Sequence, residues 1–157
     1  MRRSTIAVLV ICVGGGAALV ALVASLMLPD GCTAEDDRLA ASLATLSILD
    51  AHPVAATPQG ERASGCYDDG RIVNVLQSYR FSGPVADVLS FYRDAALMDG
   101  WRPAPRDGGE GVSCFVKSVG GRDVGFSVWV MEADGAGRGD DYDVDVTSSV
   151  TGGGGWC

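Results

Sequence analysis

Histidine and lysine are almost absent from this chain of 157 residues, which has one of each, His52 and Lys117. A serine or cysteine nucleophile needs a neighbouring base, and His52 lies next to Pro53 in a segment that reads as a linker. The chain also lacks a P-loop, the glycine pattern of dinucleotide-binding folds and an HExxH motif. These absences predict a protein that is not an enzyme and that uses no cofactor.

No two cysteines have CxxC spacing, which argues against a zinc site. Cys12 lies in an apolar N-terminal segment, whereas Cys32, Cys66, Cys114 and Cys157 all follow that segment. An even number of cysteines in a small exported domain predicts two disulfides, and four cysteines allow three pairings. The preferred pairing is Cys66–Cys114 together with Cys32–Cys157.

Charge is missing from residues 5–28, a run of 24 residues. About 20 apolar residues cross a bilayer as a helix, while the apolar region of a cleaved signal peptide has about 7–15. The run therefore predicts a single-pass plasma-membrane anchor, and a removed signal that leaves a secreted protein is the alternative. Because Arg2 and Arg3 precede the run, we expect the N-terminus in the cytoplasm and residues 30–157 outside it.

Small residues recur four apart within this apolar run. Gly14 is followed by Ala18, Ala17 by Ala21, and Ala21 by Ser25. Such spacing lets two membrane helices pack closely. A homodimer formed through the membrane helix is therefore one possible assembly.

Acidic residues are absent from the first 29 positions, and all 20 of them follow, whereas two of the 12 basic residues precede. The outer part is thus strongly acidic, and such a surface repels nucleic acid and anionic lipid headgroups. We expect a protein partner in the envelope or membrane, and no nucleic acid.

Periodicity predicts a small α+β domain after the membrane segment. Leucines at helical spacing and a Thr33 N-cap favour an amphipathic helix over residues 34–50, and the following Pro- and Gly-rich stretch reads as a linker or loop. A strand over residues 71–82 leads to a helix that begins at Pro84 and ends at Gly100. A Gly120-Gly121 turn joins two strands, and alternation from Tyr142 gives the last one.

The predicted order is β-α-β-β-β, an antiparallel sheet with one helix packed on a face. The predicted organisation has three parts. Residues 1–29 form the cytoplasmic tip and anchor, residues 30–65 the juxtamembrane helix and linker, and residues 66–157 the disulfide-stapled domain. Pairing outward from the Gly-Gly turn places Phe115 opposite Phe126 and Cys114 opposite Ser127, so Cys114 points away from the helix.

Three groups of residues are candidates for a site. Phe91, Tyr92 and Arg93 lie on the predicted helix, where packing explains them better than anion recognition. Trp129 and Met131 lie on the sheet face away from that helix and form the predicted contact surface. A calcium site, as the alternative to an exposed strand face, would use the acidic residues around the start of the last strand, which alternate with apolar ones: Asp140, Asp141, Asp143 and Asp145.

Three stretches carry a pattern whose span, residues 79–148, is roughly half of the chain: YRFSGPVADVLSFYRDAALMDGWRP, SCFVKSVGGRDVGFSVWV and YDVDVTS. Together they resemble a group of uncharacterised actinobacterial proteins that are membrane-anchored or secreted. The shared form is a strand, a helix ending in FYR-x-x-L-x-x-x-GW and a cysteine-containing hairpin, and Leu97 matches its leucine only approximately. The resemblance implies an extracytoplasmic domain and carries over no catalytic residue.

These patterns predict a membrane-anchored, extracytoplasmic binding or accessory domain with no catalytic role. Two alternatives stay open. One is a calcium- or ligand-sensing domain, and the other is a secreted hydrolase with a buried polar pair in a deep cleft.

Overall fold

The computed structural model describes residues 31–67, 71–105, 112–132 and 138–149. They form an α+β fold in which two α-helices accompany one six-stranded antiparallel sheet. The helices are α1 (Ala34–Leu43) and α2 (Val85–Met98), with a short 3₁₀ helix (Ser47–Leu49) between them. The strands are β1 (Thr57–Tyr67), β2 (Ile72–Pro84), β3 (Arg102–Pro103), β4 (Val112–Val119), β5 (Arg122–Glu132) and β6 (Arg138–Ser149).

The strands lie in the order β1-β2-β6-β5-β4-β3, so β6 is inserted between β2 and β5. The predicted order β-α-β-β-β is wrong, because it omits the strands β1 and β3. Pro58 and Gly60 made β1 look like a linker, but an edge strand tolerates proline and a bulge. Gly60 has a φ of 66°, and the register with β2 shifts between Gln59 and Ala63.

Helix α1 begins as predicted and ends earlier. Thr33 accepts a hydrogen bond from the Asp36 amide, and the Asp36 carboxylate accepts one from the Thr33 amide at 2.8 Å, which completes a capping box. The helix stops at Leu43 rather than continuing to residue 50. Arg62 of β1 stabilises the break by donating to the carbonyl oxygens of Ala44 and Leu49, at 2.5 and 3.1 Å.

The apolar spacing of α2 predicts a buried stripe of Val85, Val88, Leu89, Tyr92 and Ala96. The structure buries all of these residues except Leu89, which is partly buried. The end of α2 also follows the prediction: Gly100 has a φ of 82°, and the Trp101 amide donates to the Ala96 carbonyl at 2.9 Å. Pro84 is the residue before the helix rather than its first residue.

The β4–β5 hairpin has the predicted register. Phe115 lies opposite Phe126 and Cys114 opposite Ser127. Gly120 and Gly121 form the turn with φ values of 59° and 80°, which suit the two-residue loop of a twisted hairpin.

All described helices pack on one side of the sheet, which we call the core face. Its buried side chains include Val75 and Tyr79 of β2, Tyr142 of β6 and Phe126 of β5. The aromatic rings contact one another: the centroids of Tyr79 and Tyr142 are 5.2 Å apart, and those of Tyr92 and Phe126 are 5.9 Å apart. The opposite side of the sheet is called the second face.

The predicted anchor over residues 5–28 lies outside the described residues. Within the described ranges, the helices are all too short or too polar to cross a bilayer.

Candidate binding surfaces

The predicted acidic residues of β6 lie in a line on the second face, and each described one has its own partner on β2. Arg80 donates from Nε to Asp141 at 3.3 Å, and the Ser78 hydroxyl donates to Asp143 at 2.6 Å. Asn74 donates from its side-chain amide to the Asp145 carboxyl. The carboxyl groups are thus held by cross-strand pairs.

Asp145 is buried, which corrects the expectation that this strand face is fully exposed. Burial raises the pKa of Asp145 to about 7, and repulsion from the Asp143 carboxylate adds to the rise. Sequence alternation indicates which side chains share a face, but it does not indicate what covers that face.

The calcium alternative finds no support among the described acids. In the described part of the chain, no three His, Cys, Asp or Glu side chains come together to hold a metal ion. Same-face residues along a strand are about 6.6 Å apart, so convergence would require their side chains to turn toward one point. Instead, Asp141, Asp143 and Asp145 each bond β2. The Asp140 side chain lies outside the described part.

Trp129 of the predicted contact surface lies on the second face and is 38% exposed. Its indole N–H donates to the Ser127 hydroxyl at 2.8 Å, so the polar edge of the ring turns toward β5 itself. Trp129 lies opposite Asp143 on β6. The side chain of Met131 lies outside the described part, and the Trp129–Met131 surface stays a prediction.

The cysteines pair differently from the preferred scheme. Cys32 and Cys66 form a disulfide with Cα atoms 5.8 Å apart, so neither Cys66–Cys114 nor Cys32–Cys157 is correct. The reason is the fold: Cys66 lies opposite Val73, on the core-face side of β1, whereas Cys114 lies on the second face of β4. Cys114 is disulfide-bonded as well.

Of Phe91, Tyr92 and Arg93, Tyr92 has the packing role that was predicted. Tyr92 is buried, and its hydroxyl donates to the Ala51 carbonyl at 2.6 Å. Burial raises the pKa of Tyr92 far above its ordinary value, so this phenol stays protonated. Arg93 is exposed.

A groove of about 500 Å³ lies between α2 and the 3₁₀ helix, and we call it the helix groove. It is mostly apolar: buried Ile48 contributes from the 3₁₀ helix, and Met98, which is 90% exposed, contributes from the end of α2. The groove is lined by Ser47, Ile48, Ala51, Phe91, Asp94, Ala95, Met98 and Asp99.

The helix groove was not predicted from the sequence, although the sequence contains an apolar pattern that indicates one of its sides. Phe91, Ala95 and Met98 recur at i, i+4 and i+7, which defines a second apolar stripe on α2 beside the buried one. The other side of the groove was not predicted, because the sequence analysis expected one helix to continue to residue 50. In the structure α1 ends at Leu43, and a separate 3₁₀ helix carries Ile48.

Comparison with known proteins gives no match: no family model, curated protein or solved structure is significantly similar to this chain. The resemblance to uncharacterised membrane-anchored or secreted actinobacterial proteins therefore stays a prediction.

Proposed function

We propose that this chain is a single-pass membrane protein whose domain outside the cytoplasm binds a partner and has no catalytic role. The helix groove is the observation that carries this function. It combines a concave apolar surface with Met98, an exposed apolar side chain at its rim. Apolar surface of this kind is characteristic of a contact site for another molecule.

The occupant that fits best is an apolar segment of a membrane or envelope protein that also carries Lys or Arg. Both charged residues of the groove are acidic, Asp94 and Asp99. Asp99 already accepts hydrogen bonds from Trp101 and Lys117 at 2.9 and 3.3 Å. Asp94 has no ion-pair partner within the described part, so a cation on the occupant would meet an unneutralised carboxylate.

One feature of the sequence and one of the structure support a position outside the cytoplasm and beside the membrane. The uncharged run over residues 5–28 is long enough to span a bilayer. Cys32, shortly after that run, is bonded to Cys66, and disulfides persist mainly in oxidising compartments outside the cytoplasm.

Site-specific photo-crosslinking of the full chain in cell membranes tests this function. A photoreactive amino acid replaces Met98 in one variant and Val54 in another. Val54 is the matched control, because it is an exposed apolar residue outside the groove. We expect a protein adduct several times stronger at position 98, whose captured peptide is apolar and carries Lys or Arg.

Asp94→Asn in the Met98 probe should weaken the adduct, since it removes the carboxylate that attracts the cation. Equal crosslinking at positions 98 and 54, or capture of an acidic segment, would contradict the proposal. A third probe at Trp129 distinguishes the two surfaces: a dominant adduct there would assign the contact to the second face instead.

A further inference from the structure

Most of the large hydrophobic side chains that are exposed in the described part of the chain lie toward one end of the sheet. Tyr67, Leu97 and Met98 are 59%, 51% and 90% exposed. Tyr67 ends β1, and Leu97 and Met98 are the last residues of α2. The other two such side chains are Val54, which precedes β1 at its opposite end, and Trp129 on the second face.

The start of α1 is bonded to residues beside both hairpin connections at this end. Arg71, which immediately precedes β2, donates to Asp36 at 2.9 Å. Arg122, which follows the β4–β5 turn, donates to Glu35 at 2.8 Å. The Cys32–Cys66 bond joins the start of α1 to β1 in the same region, and we call this the disulfide end of the fold.

The end of α2 lies at the disulfide end as well. Strand β2 starts at this end and α2 follows β2 directly, so the helix begins at the far end of the sheet and runs back. Asp99, the residue after α2, accepts hydrogen bonds from Nζ of Lys117, two residues before the end of β4. Leu97 and Met98 are therefore close to the β4–β5 turn.

The disulfide end is also the part of the domain that is tied to the uncharged run. That run ends at residue 28, four residues before Cys32, which is at most about 14 Å of chain. Cys66 lies 5.8 Å from Cys32 between Cα atoms, and Tyr67 is the next residue. The start of β1 is ten residues from Tyr67, about 33 Å along the strand. With the run in a bilayer, the disulfide end is therefore nearest to the membrane.

We propose that the disulfide end rests on the lipid bilayer and that Tyr67 and Leu97 contact its headgroup region. The inference depends on the proposed membrane anchor, to which it adds an orientation and a lipid contact. Tyr67 lies on the β1 edge of the sheet, whereas α2 ends near β3 at the other edge. Five strand spacings of about 4.8 Å, about 24 Å in all, separate these edges. A bilayer is a surface broad enough to contact both.

The chemistry of the disulfide end suits a lipid surface. Tyrosine is favoured at membrane interfaces, because its ring is apolar while its hydroxyl bonds water and headgroups. Leu97 adds apolar area that is stabilised when it leaves water. The outer part of the chain is strongly acidic, but three of the five ion pairs among the described residues lie at this end, where they neutralise Asp36, Glu35 and Asp99.

Met98 relates this contact to the helix groove. Met98 lines the groove, whereas Leu97 and Tyr67 do not. The groove then opens close to the bilayer surface, where a segment of a membrane protein can reach it. Lipid contact through Leu97 and Tyr67 leaves the lining of the groove available to that segment.

Fluorescence quenching by lipid tests the contact. The full chain is reconstituted in phosphatidylcholine vesicles whose lipid carries a doxyl quencher near the headgroup, with a fluorescent amino acid at position 97, 67 or 54. Val54 is the matched control, because it is an exposed apolar residue at the opposite end of β1. We expect lipid quenching several times stronger at positions 97 and 67 than at 54, while aqueous iodide quenches position 54 at least as strongly.

Leu97→Glu, combined with the probe at position 67, distinguishes lipid contact from tethering by the anchor alone. A carboxylate held against the bilayer opposes the contact, so lipid quenching at position 67 should fall several fold. Val54→Glu with the same probe adds the same charge at the opposite end and should leave the quenching unchanged. Both replaced side chains are exposed, so neither variant disturbs the core.

Extraction of the vesicles with alkaline carbonate separates the two ways in which the inference can fail. A chain that is released from the vesicles would overturn the membrane anchor and, with it, the lipid contact. A chain that stays with the vesicles but is quenched equally at positions 97, 67 and 54 would overturn the lipid contact alone. Quenching at position 67 that Leu97→Glu does not change would do the same, and the proposed partner binding would still stand.

Discussion

The two faces of the sheet are built from the same strands but are stabilised in different ways. On β6, Tyr142, Val144 and Val146 face the helices, whereas Asp143 and Asp145 face the other way. The core face buries rings and aliphatic chains against α1 and α2, and hydrophobic burial stabilises it. The second face carries hydrogen-bonded polar pairs, in which burial costs free energy unless each group has a partner.

Polar groups occur on the core face too, where buried tyrosine hydroxyls are hydrogen-bonded to backbone carbonyls. The Tyr79 hydroxyl donates to the Leu49 carbonyl at 2.6 Å, and the Tyr92 hydroxyl donates to the Ala51 carbonyl at 2.6 Å. Both acceptors belong to the segment after α1, so these tyrosines fix that segment over the sheet. On the second face, by contrast, the described polar bonds run between neighbouring strands or along one strand.

The largest expected effect is on the core face. Phe126→Ala should destabilise the protein by about 3–5 kcal/mol, the usual cost of truncating a fully buried phenylalanine. The ring centroids of Trp101 and Phe115 lie 5.4 and 5.6 Å from that of Phe126, so its removal leaves a cavity among rings. Chemical denaturation of the oxidised protein measures the change.

Trp129→Ala is the matched control, because it truncates another aromatic side chain of β5 on the second face. Its effect should stay below about 1 kcal/mol, since the indole is part-exposed and its hydrogen bond within the described part goes to Ser127 of the same strand. Equal losses for the two variants would mean that the second face is packed as tightly as the core face.

The Cys32–Cys66 bond gives the next largest effect. The double variant Cys32→Ser/Cys66→Ser should lose about 2–4 kcal/mol, because the bond closes a long loop and constrains the unfolded chain. It joins the residue before the Thr33 cap to β1, so protection of α1 amides from hydrogen exchange should fall most. Cys12→Ser changes the cysteine number without touching this bond. A similar loss of stability in Cys12→Ser would show that replacing a cysteine, and not breaking the Cys32–Cys66 bond, causes the loss.

Alternation and turn chemistry made much of the fold predictable. The β4–β5 register followed from Gly120-Gly121, and the buried stripe of α2 followed from its apolar spacing. These are local rules, and each acts within one or two elements. These rules did not predict strand β1. Pro58 and Gly60 argue against a strand, and they are tolerated here because β1 lies at the edge of the sheet.

The pairing of cysteines and the helix groove depended on non-local information. Cys66 and Cys114 lie on opposite faces of strands four places apart in the sheet, and no local pattern in the sequence fixes that separation. The groove needs the 3₁₀ helix, which forms where Arg62 donates to Ala44 and Leu49 from a strand later in the chain. The sequence indicated the residue types of these sites but not their neighbours.

The smallest expected effect is a change of stability with pH. It compares two buried carboxyl groups, Asp145 on the second face and Asp36 in α1. Because the folded pKa of Asp145 is about 7, above its unfolded value, its protonated form is favoured in the folded protein. Stability is then lost as pH rises. From pH 5 to pH 7 the wild type should lose about 1–2 kcal/mol relative to Asp145→Asn, since each pH unit is worth at most about 1.4 kcal/mol.

Asp36 should show the opposite sign. Burial favours a higher pKa there, but hydrogen bonds from Arg71 and Thr33 outweigh it and hold the pKa of Asp36 below its ordinary value. Its contribution is complete above the unfolded pKa, near 4, and is lost as pH falls further. The wild type should therefore lose stability relative to Asp36→Asn between pH 5 and pH 3, with no difference in slope between pH 5 and pH 7.

Urea unfolding of the two variants and the wild type across pH 3–8 measures both slopes, and the single histidine cancels because every protein carries it. Arg80, Asp141 and Asp143 also face Asp145's side of β6 and are unchanged in both variants. If Asp145→Asn tracked the wild type from pH 5 to pH 7, that carboxyl would be ionised in the folded protein. The second face would then reach water as freely as an ordinary exposed sheet, and the contrast between the two faces would reduce to side-chain composition alone.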